Sequence, residues 1–171
     1  MFFWNMTRID ISGLSKAECR EREHKAGMEL CRNMLLRHFS IENPRFLTSE
    51  HGKHYLEGNG VYFNISHSQG VIACAVCDMP IGIDIEFLSS SENEDKLKRL
   101  AKRFFGENEI DFILASDNIH YDFYYIWTRK EAISKCVGLP FLQMRHYNSL
   151  ECESVTSYEK DGYIISIAIN I

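Results

Sequence analysis

Residues Pro80 to Phe87, PIGIDIEF, form the stretch that most restricts how this chain can fold. Their strict alternation predicts a β-strand whose three isoleucines face a core, with Asp84 and Glu86 on the opposite face. Acidic residues are uncommon in strands, and two like charges on one sheet face repel each other. The pair therefore favours a nearby positive charge. Alternate side chains lie about 6.5 Å apart along a strand, so both carboxylates can bind one Mg²⁺.

The segment at residues 124–135, YYIWTRKEAISK, predicts a helix that ends before a glycine and a proline. Residues four apart share a helix face, so Trp127, Glu131 and Lys135 would form one row. Glu131 and Lys135 also have the orientation that stabilises an ordinary exposed helix, by roughly a few tenths of a kcal/mol. The row alone therefore does not distinguish a site from a surface pair. Next to the two strand carboxylates, Glu131 would be a third ligand of the metal ion.

The remaining pattern predicts helices and short strands in an order that occurs twice. Short strands separated by glycines favour antiparallel hairpins. The order is strand, helices, strands, and it begins again near Ile81, which suits an α+β pseudo-dimer. The predicted strands are residues 2–11, 45–48, 53–56, 62–66, 71–77, 81–87, 144–150, 154–159 and 163–171. The predicted helices are residues 16–25 behind a Ser15 cap, 28–38, 94–105 behind a Ser91 or Asn93 cap, 108–115 and 124–135.

Five short motifs in a fixed order resemble those of the phosphopantetheinyl transferase superfamily. They are Gly52-Lys53, FNISHS at 63–68, IGIDIE at 81–86, KRFF at 102–105 followed by Glu109, and WTRKEAISK at 127–135. The resemblance covers residues 45 to 140 well. It implies an α+β fold of two similar α/β halves fused as a pseudo-dimer, with antiparallel sheets and helices packed on them. We place the halves at residues 1–78 and 79–171, with the metal site and catalytic helix in the second half and the active site in the cleft between them.

The resemblance also implies a reaction. Enzymes of this family transfer the 4′-phosphopantetheine group of coenzyme A to a serine of an apo acyl or peptidyl carrier protein, require Mg²⁺ and release 3′,5′-ADP. Asp84, Glu86 and Glu131 would hold the metal. Glu131 would take the serine proton, directly or through water, and Lys135 would bind phosphate and help to protonate the leaving group. The carrier would belong to fatty-acid, polyketide or peptide biosynthesis, and the sequence does not say which.

Coenzyme A would contact residues outside the metal site. By resemblance, Ser66 and His67 would bind its phosphates, and Lys53 is a second phosphate candidate. Lys25 and Arg32 are candidates for gripping the 3′-phosphate. Ser66 and His67 do not suit a hydrolase pair, because adjacent side chains on a strand point to opposite faces.

Charge and hydropathy argue against several classes of protein. The formal net charge of -5 argues against nucleic acid as the main partner. The sequence has neither an apolar run of about 18 residues nor a basic leader with a cleavage site, so we expect no membrane span and a cytoplasmic location. The six cysteines are scattered, and we expect free thiols. The basic segment 96–103 is either a docking patch for an acidic partner or a solvated helix face.

Two alternatives to the transferase stay open. One is another Mg²⁺-dependent phosphate enzyme that shares the carboxylate trio, and the other is a non-catalytic or divergent binding protein of the same fold. The chain has no Gly-rich phosphate loop that ends in Lys-Ser/Thr, which argues against the first. The intact carboxylates and Lys135 argue against the second. Because both half-patterns lie in one chain, we expect a catalytically complete monomer.

Overall fold

The computed structural model describes residues 1–49, 54–58 and 60–171. Within these ranges the chain forms eight strands, four α-helices and two short 3₁₀ helices, the latter at Phe141–His146 and Ser149–Glu151. The strands are β1 (Phe2–Arg8), β2 (Phe46–Thr48), β3 (His54–Leu56), β4 (Tyr62–Ser68), β5 (Val71–Cys77), β6 (Ile81–Phe87), β7 (Val155–Lys160) and β8 (Tyr163–Ile169). The helices are α1 (Lys16–Phe39), α2 (Glu94–Phe104), α3 (Glu107–Leu114) and α4 (Ile119–Val137).

All described strand pairs are antiparallel, and they form two three-stranded sheets and one small hairpin. The first sheet has the order β1-β5-β4, the second has the order β6-β8-β7, and β2 pairs with β3. The structure therefore confirms a mixed α/β fold with antiparallel sheets. In each large sheet, the strand that comes last in the sequence lies in the middle. It pairs with the first strand of that sheet on one side and with the strand just before it in the sequence on the other.

The two large sheets face each other across the main core, and helices cover their outer faces. The inner faces contribute alternate residues of β5, β6 and β8, including Ile81, Ile83 and Ile85, as the alternation predicted. Helix α1 packs on the first sheet through residues such as Leu35, and α4 packs on the second through residues such as Ile133. Since β6 buries its isoleucines against the first sheet, its carboxylates face α4.

Helix α1 is continuous over 24 residues, although the sequence predicted two helices separated near residue 26. Gly27 lies in its middle as a packing position, because a Cβ there would lie 2.9 Å from Cγ2 of Ile65. A glycine with a packing function therefore does not break the helix. The predicted cap is confirmed: Ser15 and Glu18 form a capping box, in which each side chain accepts a hydrogen bond from the other residue's backbone N–H.

The chain departs from the prediction after α4. Residues 144–150 were expected to form a strand, but residues 144–146 and 149–150 lie in the two 3₁₀ helices and residues 147–148 connect them. The backbone of this region turns toward a buried guanidinium on α4: Arg129 donates to the carbonyl oxygens of Ser149, Cys152 and Val155. A straight strand cannot bring these carbonyl groups to one side chain.

Helix ends and surface features follow the sequence more closely. Asn93 caps α2, and Gly138, at φ 74°, ends α4. In the basic segment 96–103, Lys96 and Lys98 each form an ion pair four residues back along the chain, at 2.6 and 3.6 Å. These pairs favour a solvated helix face. The six cysteines are free thiols, as expected. No helix in the described part of the chain is long and apolar enough to cross a membrane.

Candidate active site

Helix α4 lies so close to β6 that only glycine fits at one position of the strand. A Cβ at Gly82 would overlap the carbonyl oxygen of Ala132 and lie 2.5 Å from the backbone nitrogen of Cys136. The contact fixes the register of helix against strand. It brings the helix row that contains Glu131 and Lys135 over the polar face of β6.

The candidate site is an open cleft of about 410 Å³ between β4, β6 and α4. Its lining residues are Ile65, Ser66, His67, Asp84, Glu86, Trp127, Glu131 and Lys135. The structure thus brings together every predicted metal and catalytic residue, as well as Ser66 and His67. The phosphate candidate Lys53 lies outside the described residues. Lys25 and Arg32 do not line the cleft, and the Arg32 guanidinium lies 5.2 Å from the centre of the Phe46 ring.

Asp84 is the most buried carboxylate of the cleft, with only 4% of its surface exposed. Its Oδ1 accepts hydrogen bonds from Lys135 Nζ at 2.6 Å and from Ser66 Oγ at 2.8 Å. Its Oδ2 is buried and has no hydrogen-bond partner among the described residues. A buried carboxylate oxygen without a donor is energetically costly, so this atom favours an approaching cation.

Lys135 supplies positive charge inside this cluster of carboxylates. Besides Asp84, its ammonium group contacts Ser66 Oγ at 3.1 Å and the carbonyl oxygen of Ile83 at 3.3 Å. About a quarter of the side chain, 27%, remains exposed to the cleft. Lys135 therefore both compensates the charge of Asp84 and borders the space where a ligand would bind.

The charge balance of the cleft is negative, and the carboxyl pKa values reflect this. Burial and then the charge of Asp84 raise the pKa of Glu86 to about 7, against a hydrogen bond from Ser68 and the charge of Lys135. Burial and then Asp84 also raise the pKa of Glu131, while Lys135 acts in the opposite direction. Both glutamates would ionise more readily next to an added cation.

The donor set of the cleft fits a hard divalent cation. The cleft has three carboxylates, an open side toward solvent and a buried oxygen that no described residue hydrogen-bonds. This set matches the preference of Mg²⁺ for a few carboxylates with water and phosphate oxygens. Nowhere in residues 1–49, 54–58 and 60–171 are three His, Cys, Asp or Glu side chains already gathered tightly enough to hold a metal. The contact of Lys135 with Asp84 fits this wider spacing of the carboxylates, because the ammonium group binds one oxygen of Asp84 in place of a cation.

Ser66 and His67 point to opposite sides of β4, as the strand geometry predicted. Ser66 is buried and contacts Asp84 and Lys135, whereas the His67 ring is half exposed and lies on the side of α1. His67 Nδ1 lies 3.2 Å from Oε2 of the buried Glu23, whose other oxygen accepts a hydrogen bond from the backbone N–H of Gly70. The ring is therefore held at Nδ1, and Ser66 and His67 do not form a hydrolase pair.

Arg129 and Lys130 precede Glu131 and are both buried, and nothing in the sequence pattern singled them out. Lys130 Nζ lies 2.7 Å from Oε2 of Glu109, and neither side chain has any exposed surface. The second oxygen of Glu109 accepts hydrogen bonds from the backbone N–H and hydroxyl of Ser149. Burial lowers the pKa of Lys130, and Glu109 opposes this shift. These contacts fasten α4 to α3 and to the chain that follows α4, which holds Glu131 in place.

Comparison with known proteins gives matches that include the strand and the helix of the cleft. The family described as the 4′-phosphopantetheinyl transferase superfamily matches residues 80–165, which include β6 and α4. The chain is 34% identical over 140 residues to 4′-phosphopantetheinyl transferase Sfp of Bacillus subtilis, covering 75% of this chain and 60% of that protein. It is 34% identical over 116 residues to the transferase gsp of Aneurinibacillus migulanus, covering 66% and 46%. It is 34% identical over 126 residues to the transferase HetI of Nostoc, covering 68% and 52%.

The matches leave part of each relative uncovered, since the chain spans 60% or less of the length of these three proteins. The family match nevertheless extends over half of the chain, residues 80–165. It contains three carboxylates and the lysine of the cleft. The chain therefore belongs to the 4′-phosphopantetheinyl transferase superfamily.

Proposed function

We propose that this protein transfers the 4′-phosphopantetheine group of coenzyme A to a serine of an apo acyl or peptidyl carrier protein, with Mg²⁺ as cofactor and 3′,5′-ADP as product. One observation carries the proposal. Asp84, Glu86, Glu131 and Lys135, from a strand and a helix about forty residues apart in the sequence, line one open cleft, and within the described part of the chain Asp84 keeps a buried oxygen without a hydrogen-bond partner. The relatives are named for this transfer, which supports the same assignment.

The architecture that we propose is a pseudo-dimer of residues 1–78 and 79–171. Support comes from the strand order, because both large sheets place their last strand between the first and the last but one. Strand β4 of the first half and strand β6 of the second flank the cleft. With walls from both halves in one chain, a single copy would form the whole cleft, so we propose a monomer. We also propose that it acts in the cytoplasm.

Asp84, Glu86 and Glu131 would hold Mg²⁺. When bound there, the ion would neutralise charge on the pyrophosphate of coenzyme A, which is the main requirement for phosphoryl transfer. The two strand carboxylates approach from one side of the cleft and Glu131 from the other. An octahedral ion bound by few protein ligands keeps coordination positions for water and phosphate oxygens.

Glu131 and Lys135 would move protons at the two ends of the reaction. Glu131 would accept the proton of the carrier serine, directly or through water. Lys135 would contact the phosphate and donate a proton to the departing nucleotide, because its ammonium group borders the cleft. Residues on one helix face four positions apart would thus serve opposite ends of one transfer.

Coenzyme A would be held on the side of the cleft formed by β4. His67 would bind a phosphate through Nε2, because its Nδ1 already lies against the carboxylate of Glu23. Ser66 would assist from the strand, although its hydroxyl already contacts Asp84 and Lys135. Lys53 is proposed as a further phosphate ligand on the basis of its motif alone.

The test is incubation of the full chain with coenzyme A, Mg²⁺ and a panel of apo carrier proteins, followed by intact mass measurement of the carriers. We expect the mass of one phosphopantetheine group to be added to at least one carrier. Glu131→Gln should abolish most of this transfer, whereas the matched control Glu159→Gln, at an exposed position of β7, should retain it. A folded protein that binds Mg²⁺ and coenzyme A but modifies none of the carriers would contradict the proposal.

A further inference from the structure

The cleft has a second row of polar contacts behind its carboxylates, where β4 meets β6. Each strand is an edge strand, since β4 pairs only with β5 and β6 only with β8 among the described strands. The side chains of Asn64, Ser66 and Ser68 project from alternate positions of β4. They bond to β6 where a neighbouring strand would otherwise pair.

The three contacts follow the two strands in the same direction. Asn64 Oδ1 accepts a hydrogen bond from the backbone N–H of Ile83 at 2.9 Å. Two residues later, Ser66 Oγ donates to Asp84 Oδ1 at 2.8 Å. After two more, Ser68 Oγ donates to Glu86 Oε2 at 2.9 Å. Two of the three contacts therefore end on the carboxylates that we assign to the metal.

The hydroxyl of Ser68 has a second contact, and that contact directs the hydroxyl hydrogen toward Glu86. The backbone N–H of Phe87 lies 3.2 Å from Ser68 Oγ and can only donate, so the serine oxygen is the acceptor there. A hydroxyl group has one hydrogen, and the remaining partner is the carboxylate of Glu86. The orientation of the hydroxyl is thus set by the strand backbone and does not depend on a ligand.

We propose that Ser68 is a positioning residue of the metal site, which holds one oxygen of Glu86 so that the carboxylate faces the cation position. Ser68 does not line the cleft, so it would not touch the metal or the substrate. Hydrogen bonds to metal ligands fix ligand orientation, and their loss costs about 10- to 100-fold in metal affinity or activity. The inference rests on the proposed function insofar as Glu86 is a metal ligand. It adds a residue of the first half to the metal site of the second.

The test uses Ser68→Ala, Ser68→Thr and the matched control Asn64→Ala. The control removes a hydrogen bond of the same row that ends on the backbone of β6 and on no carboxylate. Mg²⁺ is titrated calorimetrically into each full-length protein without coenzyme A or carrier, and thermal unfolding is recorded in parallel. We expect Ser68→Ala to raise the Mg²⁺ dissociation constant about 10-fold, Ser68→Thr to restore most of the affinity, and Asn64→Ala to lower thermal stability with little change in affinity.

A second readout separates positioning from general damage. With coenzyme A and carrier present, Ser68→Ala should raise the Mg²⁺ concentration for half-maximal rate more than it lowers kcat at saturating Mg²⁺. The inference is overturned if Ser68→Ala binds Mg²⁺ like the parent, or if Asn64→Ala weakens binding equally. A parent protein that binds Mg²⁺ but modifies no carrier would refute the transfer reaction and leave the binding test valid. A parent that binds no Mg²⁺ would refute both the metal assignment and this inference.

Discussion

Glu86 provides a sharp test of the charge balance in the cleft, because its pKa of about 7 makes the stability of the metal-free protein depend on pH. The usual pKa of a glutamate is 4.5, so the pKa of Glu86 is raised by about 2.5. One unit corresponds to about 1.4 kcal/mol, which gives a cost of about 3 kcal/mol for the ionised side chain in the folded state. Replacing Glu86 with Gln removes this cost while an oxygen remains for Ser68.

The pKa of Glu86 is higher in the folded state than in the unfolded state, and this determines whether stability rises or falls with pH. Between pH 4.5 and about pH 7 the folded state holds a proton that the unfolded state has lost. The free energy of unfolding of the parent should therefore decrease as pH rises through this window and change little from this group above it. Relative to the parent, Glu86→Gln should gain little at pH 4.5 or below and about 3 kcal/mol near pH 8.

The assay is urea unfolding of both proteins from pH 4 to pH 8 in the presence of a chelator. Taking the difference between the two proteins cancels the contribution of other titrating groups. Glu159→Gln, at an exposed position of β7, should run parallel to the parent at all pH values. Adding Mg²⁺ at pH 8 should stabilise the parent more than Glu86→Gln, since only the parent has the full ligand set. Parallel curves for the parent and Glu86→Gln would refute the reasoning.

Three further variants test separate parts of the site. Asp84→Ala should lower the free energy of unfolding by about 1–3 kcal/mol in urea, because the ammonium group of Lys135 loses its closest carboxylate; a stability equal to that of Glu86→Gln would contradict this. Lys135→Ala should lower kcat about 10²- to 10⁴-fold while calorimetric Mg²⁺ binding persists, and an unchanged kcat would reduce Lys135 to a helix-stabilising residue. Lys130→Met should destabilise the protein by about 3–5 kcal/mol, since Glu109 would remain buried without its partner, and the double change with Glu109→Gln should recover part of this loss.

The sequence was sufficient where one local pattern determines both an element and its buried face. Strict alternation at residues 81–86 placed the isoleucines in the core and the carboxylates opposite them, as the structure has it. Spacing by four placed Trp127, Glu131 and Lys135 on one face of α4, and all three line the cleft. Periodicity is enough in these cases because it determines which residues of an element share a face.

The sequence was insufficient where an element depends on contacts distant in the chain. The stretch 144–150 was predicted to be a strand, yet its backbone forms short helical turns near the buried guanidinium of Arg129, to which the carbonyl oxygen of Ser149 is hydrogen-bonded. Charge counting likewise treats Asp84 and Glu86 as equivalent. Only the fold shows that Lys135 pairs with Asp84, whereas the pKa of Glu86 is raised by burial.

The three consecutive charged residues of α4, at positions 129–131, show why a motif is not a list of site residues. Successive helix positions are rotated by about 100°, so neighbours in the sequence face different surroundings. Arg129 turns to the chain after α4, Lys130 to Glu109 beneath the helix, and Glu131 to the cleft. The first two would be expected at the surface of an ordinary helix, since charged side chains are rarely fully buried unless they are paired. Their burial makes the position of Glu131 depend on both, so the motif combines one residue of the proposed chemistry with two that fix the helix on which it lies.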